Sequence, residues 1–166
     1  MRLLLTSDTH LPVRAKTLPE ALLKAVDGAD AVIHAGDWID EATLKLFESR
    51  APMLIGVYGN NDSPALRRML PEIAYAELEG VRFAVVHETG AAAGRERRCA
   101  ARFPEVDVLV FGHSHIPWDT SVGDLRLLNP GSPTDRRRQP FCSFMSLTIA
   151  DGRVYDVTLH PLPLRG

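Results

Sequence analysis

The sequence predicts an α/β domain, and three observations carry that prediction. Through the first half of the chain short apolar runs alternate with amphipathic stretches, the pattern of βαβ units around a buried parallel sheet. After His115 the helical periodicity stops, and short alternating runs with turn residues between them point to a second, more antiparallel sheet. The 166 residues are 45% hydrophobic and 24% charged, which suits one core over residues 1–166, a single domain, and excludes disordered and fibrous chains.

Taken in order, Arg2–Ser7 is an apolar strand, and Pro19–Val26 is a helix with proline at its start. Ala31–Ala35 is a strand, Glu41–Ser49 a helix and Pro52–Val57 a third strand. Asp62 or Ser63 caps a short helix that Pro64 opens and Met69 closes. Tyr75–Leu78 and Val81–Val86 flank Glu79-Gly80 as a hairpin. Arg95–Phe103 reads as a helix and Val108–Phe111 as a buried strand. Beyond it, Leu125–Leu128, Ser143–Ala150 and Arg153–Leu159 read as strands, the last two joined by Asp151-Gly152. Asn129–Gln139, rich in Pro, Gly and Arg, is an irregular loop of a length that is often functional.

Nineteen basic residues against 21 acidic ones give a net charge of −2, so no global field draws the chain to nucleic acid or to a membrane surface. Apolar runs such as Val106–Phe111 fall far below the roughly 20 residues needed to cross a bilayer, and Met1–Leu5 is too short for a signal-peptide core. The expected compartment is the cytoplasm. Cys99 and Cys142 form no CxxC pair and read as inert thiols.

The chemistry is expected where the strands end. Asp8 and His10 follow the first strand, Asp37 the second, Asn60 the third, His87 the hairpin, and His113 with His115 the strand at 108–111. In an open α/β sheet the carboxyl ends of the strands share one edge, so these distant positions converge. Two Asp, four His and one Asn are too many donors for one tetrahedral ion, and they suit two ions bridged by a carboxylate. Gly36, Gly59 and Gly112 stand where strands must turn sharply. Other residues have plainer readings: His34 as a hydrogen-bonded core histidine, Trp38 as packing, His160 as solvated tail, and Arg136-Arg137-Arg138 as a solvated charge run.

The motifs Asp8-Thr9-His10, Gly36-Asp37, Gly59-Asn60-Asn61-Asp62, His87 and Gly112-His113-Ser114-His115, in that order, resemble the calcineurin-like metallophosphoesterase superfamily. With Asn129-Pro130-Gly131-Ser132 and the small size, the chain is similar to the short YfcE-type phosphodiesterases. The resemblance implies a four-layer α/β sandwich, two mixed β-sheets packed between helices. It implies that Asp8, His10 and His115 hold one metal, that Asn60, His87 and His113 hold the other, and that Asp37 bridges them. The implied reaction is in-line attack of a metal-bridging hydroxide on a small-molecule phosphodiester, with Asp37, Asn60, Asn61 and His87 as catalytic positions. Mn²⁺ is the first expectation for both ions, with Zn²⁺, Fe²⁺ and Ni²⁺ open. Larger family members carry a proton-donating His where this chain has Asn61, and an amide cannot replace that donor. Good leaving groups are therefore expected. Glu88 stands where a small residue is common and is expected to support the site or face solvent. Competing readings are a non-catalytic scaffold resembling the retromer subunit of this fold, and a phosphomonoesterase or nucleotide pyrophosphohydrolase of the same superfamily. Homo-oligomerisation stays open.

Overall fold

Alternation of side chains along the strands builds the architecture. The computed structural model describes residues 1–163, and residues 164–166 of the expected 1–166 domain lie outside the described residues. The strands are β1 (Arg2–Thr6), β2 (Ala31–His34), β3 (Leu54–Gly56), β4 (Ile73–Leu78), β5 (Val81–Val86), β6 (Val108–Val110), β7 (Trp118–Val122), β8 (Leu125–Asn129), β9 (Cys142–Ala150) and β10 (Arg153–Leu162). The helices are α1 (Glu20–Gly28), α2 (Glu41–Arg50), α3 (Pro64–Met69) and α4 (Arg95–Arg102). One mixed sheet runs β10-β9-β1-β2-β3 and the other β4-β5-β6-β8-β7.

Leu3, Leu5 and Ile33 of the first sheet meet Phe83, Val85 and Val110 of the second in the central core. Their neighbours in sequence, Leu4 and Val32, face the other way and pack on Leu22 and Val26 of α1 and Leu44 and Phe47 of α2. Ala84, Val86 and Leu109 likewise face outward onto Cys99 of α4 and Phe103. The two-residue period of a strand thus produces four layers, helix, sheet, sheet, helix.

Local chemistry ends the elements. Asp40 caps α2 by accepting from the Thr43 N–H at 3.0 Å, and Ser63 caps α3 by accepting from the Leu66 N–H at 3.2 Å, with Pro64 in the first turn. Glu79-Gly80 and Asp151-Gly152 turn with positive φ at both residues, the geometry that matches strand twist in tight hairpins.

Three expectations are corrected. β9 and β10 do not build the second sheet with β8; β9 pairs antiparallel with β1, Leu3 opposite Leu147, and carries β10 beside it. Strand β7 was not foreseen, because Trp-Asp-Thr-Ser-Val lies at a sheet edge with no fully buried residue and has no apolar run to announce it. His160 is half-buried rather than solvated: its ring stacks on Phe144 at 4.8 Å and lies 2.6 Å from the Ser146 hydroxyl. Cys99 and Cys142 form no disulfide. No helix among the described residues is long and apolar enough to cross a membrane.

Candidate metal centre

β1, β2, β5, β6 and the short β3 all deliver their following loops to one edge, and the polar residues of those loops meet there. Asp8 follows β1 and is fully buried. Its Oδ2 accepts from the Ser7 hydroxyl at 2.8 Å and from the His113 N–H at 3.0 Å. Its Oδ1 has no hydrogen-bond partner, and neither do Nε2 of His10 and Nε2 of His115. These three atoms belong to residues whose donor atoms lie within 4.8 Å of one another, with His115 Nε2 3.5 Å and His10 Nε2 3.7 Å from Asp8 Oδ1. Buried polar atoms are almost always paired, so a cluster of unpaired lone-pair donors aimed at one point fits a cation.

A second cluster abuts the first. Asp37 Oδ2 lies 3.3 Å from His10 Nε2 and 3.4 Å from His87 Nε2, between the two clusters, where a bridging carboxylate belongs. Asn60 Oδ1 is 3.0 Å from His87 Nε2 and 3.1 Å from His113 Nδ1. His87 Nε2 is 3.9 Å from Asp8 Oδ1, so Asp8 also borders this second group. Oxygen and imidazole donors in these proportions suit divalent first-row ions.

The remaining hydrogen bonds orient the donors. His87 Nδ1 lies 2.7 Å from the Ala35 carbonyl and His115 Nδ1 2.6 Å from the Asp135 carbonyl, which holds each ring with Nε2 turned toward the cluster. Asn61 donates to Asp37 twice, from its backbone N–H at 2.9 Å and from Nδ2 at 2.8 Å. Glu88 lies 3.7 Å from His113 Nε2, which places its carboxylate beside a candidate ligand.

Burial works against charge on Asp8, yet His10, His115 and His87 hold its carboxyl well below the usual range. Asp37 is depressed in the same way, by His10, His87 and the Asn61 N–H against burial. Burial pulls the His10 imidazolium down, but Asp37 and Asp8 outweigh it and raise the group to about 9. His87 is raised for the same reason. The carboxylates are thus ionised and ready for cations, while the proton on His10 supplies positive charge beside them.

The backbone carries the imprint of the site. Asp8, His10, Asp37, His113 and His115 all have φ between +45° and +73°, a left-handed conformation that side chains rarely adopt. The glycine at 59 is required by close approach, since a Cβ there would overlap the Asp37 carboxylate. A Cβ at Gly112 would overlap the Ser7 hydroxyl.

Several neighbours escaped sequence reasoning. Asp62 is not a helix cap; it accepts from the N–H groups of Asp37 at 3.0 Å, Ile39 at 2.7 Å and Gly59 at 2.7 Å, and so fastens the loop of Asp37 to that of Asn60. Ser132 donates to the Asp8 carbonyl at 2.7 Å and Thr134 to the Thr9 carbonyl at 2.7 Å, which docks the loop after β8 onto the loop after β1. The Ser, Thr and Asp content of that loop was the signal. Arg137 reaches the His113 carbonyl at 3.3 Å, so the arginine run is anchored at the site rather than wholly solvated. His34 is a core histidine, as read: it bridges the Gly36 N–H at 3.1 Å and the Thr9 hydroxyl at 3.1 Å, and burial lowers it to about 3. Trp38 packs on it, stacked at 3.6 Å, and donates to the Val57 carbonyl.

Beside Asn60 and His87 opens a cleft of about 230 Å³, lined by Tyr58, Arg67, Glu72, Val86 and Glu88 as well. A larger cavity of about 620 Å³ lies along the loop at 133–137 and includes none of the candidate ligands, so the smaller cleft is the one in contact with the chemistry.

Strand-end donors gathered at one edge of a four-layer sandwich define a metal-binding α/β protein. The chain belongs to the calcineurin-like phosphoesterase superfamily, whose domain model matches residues 1–152. It is similar to a probable metallophosphoesterase of Methanocaldococcus jannaschii, 35% identical over 148 residues that cover 87% of this chain and 74% of the relative. A phosphodiesterase of the same organism is 25% identical over 147 residues, 79% of this chain and 83% of the relative. Among solved structures, a Thermotoga maritima protein studied by solution NMR is 36% identical with a TM-score of 0.76, covering 97% of this chain and 99% of that one. Vps29 of Chaetomium thermophilum shares the fold, with 20% identity and a TM-score of 0.81 over 98% of this chain and 97% of that one.

Proposed function

We propose that this phosphoesterase is a phosphodiesterase that works with two divalent ions. The observation that carries the reading is the set of three buried, unpaired atoms, Asp8 Oδ1, His10 Nε2 and His115 Nε2, next to an Asp37 carboxylate lying between His10 and His87. Asp8, His10 and His115 would hold one ion and Asn60, His87 and His113 the other, with Asp37 shared. Mn²⁺ is the first choice because carboxylate and amide oxygens stand among the imidazoles. Such a pair supplies water of lowered pKa and positive charge for the phosphoryl oxygens.

The chain's own residues set the rest. Asn61 donates its amide to Asp37 and offers no titrating proton for a departing alkoxide, which favours esters with acidic leaving groups such as aryl or nucleoside phosphodiesters. The cleft beside Asn60 and His87 would receive the ester group, with Arg67, itself bonded to the Asn60 carbonyl at 2.9 Å, on its wall. A related phosphodiesterase by name supports the diester over the monoester.

A scaffold role is the second reading, favoured by the shared fold with Vps29. Ion uptake does not separate the two, because an Entamoeba histolytica Vps29, 23% identical, is itself described as complexed with Zn²⁺. Turnover does. Chromogenic phosphodiester and phosphomonoester substrates assayed across Mn²⁺, Zn²⁺, Fe²⁺ and Ni²⁺, with Asp37→Asn as control, should show metal-dependent diester hydrolysis that chelation and the substitution abolish. Hydrolysis untouched by both would reject the proposal, and no hydrolysis with any ion would favour the scaffold.

A further inference from the structure

One buried cation stands close behind the metal centre without belonging to it. Arg95 opens α4 and is only 6% exposed. Its guanidinium lies between two rings, 4.8 Å from the centroid of Phe111 and 4.5 Å from that of Trp118. Nε donates to the Thr89 hydroxyl at 2.9 Å and Nη2 to the Gly90 carbonyl at 3.2 Å. Among the described residues no carboxylate pairs with it. An unpaired buried charge is costly, and only a planar, weakly hydrated group that stacks on aromatic faces while bonding from its edge suits such a slot.

The position of its four partners gives the arrangement a purpose. Thr89 and Gly90 follow His87 and Glu88 directly, and Phe111 immediately precedes Gly112-His113. Trp118 begins β7, three residues beyond His115, and its indole donates to Thr120, whose hydroxyl in turn donates to Glu96 of α4. Arg98, one turn along the helix, closes the same loop by donating to the carbonyls of Thr89, Ala91 and Ala93. The start of α4 therefore clamps two loops at once, the one that presents His87 and the one that presents His113.

We infer that Arg95 is a positioning residue for the ion held by Asn60, His87 and His113: its guanidinium, stacked between Phe111 and Trp118 and bonded to Thr89 and Gly90, holds the His87 and His113 loops at the separation that ion needs. Asp8 and His10 stand on the loop after β1, which reaches the Arg95-held segment only through the His113 N–H on Asp8 Oδ2, so the second ion, with both His87 and His113 on held loops, depends on Arg95 more than the first. His115, a ligand of the first ion, is fixed from the other side through Asp135. The inference rests on the two-ion reading above.

The test is a Co²⁺ titration followed by the visible absorption of the bound ion and by metal content after desalting. It compares wild type, Arg95→Met, Arg95→Lys and His113→Ala. The step that His113→Ala removes identifies the second ion. Arg95→Met should weaken that step by about tenfold or more, the usual effect of disturbing groups that orient a ligand, and weaken the other step distinctly less. Arg95→Lys should behave like Arg95→Met, because an ammonium cannot stack and span both acceptors, and Arg95→Met, which fills the slot between the rings without burying a charge, keeps a folded variant available. Equal weakening of both steps, recovery of the wild-type titration by Arg95→Lys, or lowered thermal stability with both steps intact would each overturn the inference. A wild-type protein that takes up one ion only refutes the two-ion reading itself, and this inference with it.

Discussion

Replacing Asp62 by alanine removes the single carboxylate that joins the loop of Asp37 to the loop of Asn60. Three backbone N–H groups, those of Asp37 at 3.0 Å, Ile39 at 2.7 Å and Gly59 at 2.7 Å, lose their acceptor in a buried setting. Each such bond contributes on the order of 1 kcal/mol net, and more where a donor is left buried and unpaired. Burial raises the Asp62 carboxyl above its ordinary range despite those N–H groups, so the charge is held at some cost and the low end of the range applies. The expected loss is about 3 kcal/mol, or roughly 6–12 °C in unfolding temperature for a chain of this size. Thermal unfolding of chelator-treated protein, followed by circular dichroism, measures it. Asp62→Asn keeps one acceptor oxygen and should lose about half as much. Added Mn²⁺ should raise the midpoint of Asp62→Ala by less than that of wild type, since the site must be reassembled as the ions bind. A loss under about 1 kcal/mol, with an undiminished response to Mn²⁺, would refute the role given to Asp62.

Other outcomes follow from the same geometry. Asn61→His places a titrating donor beside Asp37 and should speed diesters of poor alkyl leaving groups by roughly 100-fold while changing aryl esters little; equal effects on both, read as kcat/KM across a leaving-group series, would count against a missing acid at this position. In the metal-free protein His10 is raised from 6.5 to about 9 by its carboxylate neighbours. The stability from that pairing is fully present below pH 6.5 and is lost as pH rises through about 9, which urea unfolding in the presence of chelator would record. Metal uptake must displace that proton, so calorimetry near pH 7 in buffers of different ionisation enthalpy should show proton release. Gly59→Ala drives a methyl group into the Asp37 carboxylate and should abolish metal-dependent hydrolysis with a smaller effect on unfolding of the metal-free protein.

Much of the fold was legible because it rests on local patterns. Val81–Val86, apolar but for Arg82, and Ala31–His34, apolar up to its last residue, announce themselves as strands, and Ser63-Pro64 announces a helix start. The site was legible for a related reason: strands that end at one edge bring Asp8, Asp37, Asn60 and His113 together whatever their spacing in sequence. What could not be read depends on partners distant in the chain. The alternation in β9 shows a strand, but only its pairing with Leu3, Leu4 and Leu5 decides which sheet it joins. Asp62 resembles a cap in sequence, since Asp before Ser-Pro suits one, and its three N–H partners from two other loops carry no local signal. Arg95 sits in a basic amphipathic helix start that looks solvated, and the rings of Phe111 and Trp118 that bury it stand 16 and 23 positions away.

The proposed cation pair at the strand ends is tested directly by anomalous scattering at the manganese edge from crystals soaked in Mn²⁺. Two peaks are expected, one among Asp8, His10 and His115 and one among Asn60, His87 and His113, with Asp37 touching both. A single peak, or peaks outside this set of residues, would contradict the dinuclear centre.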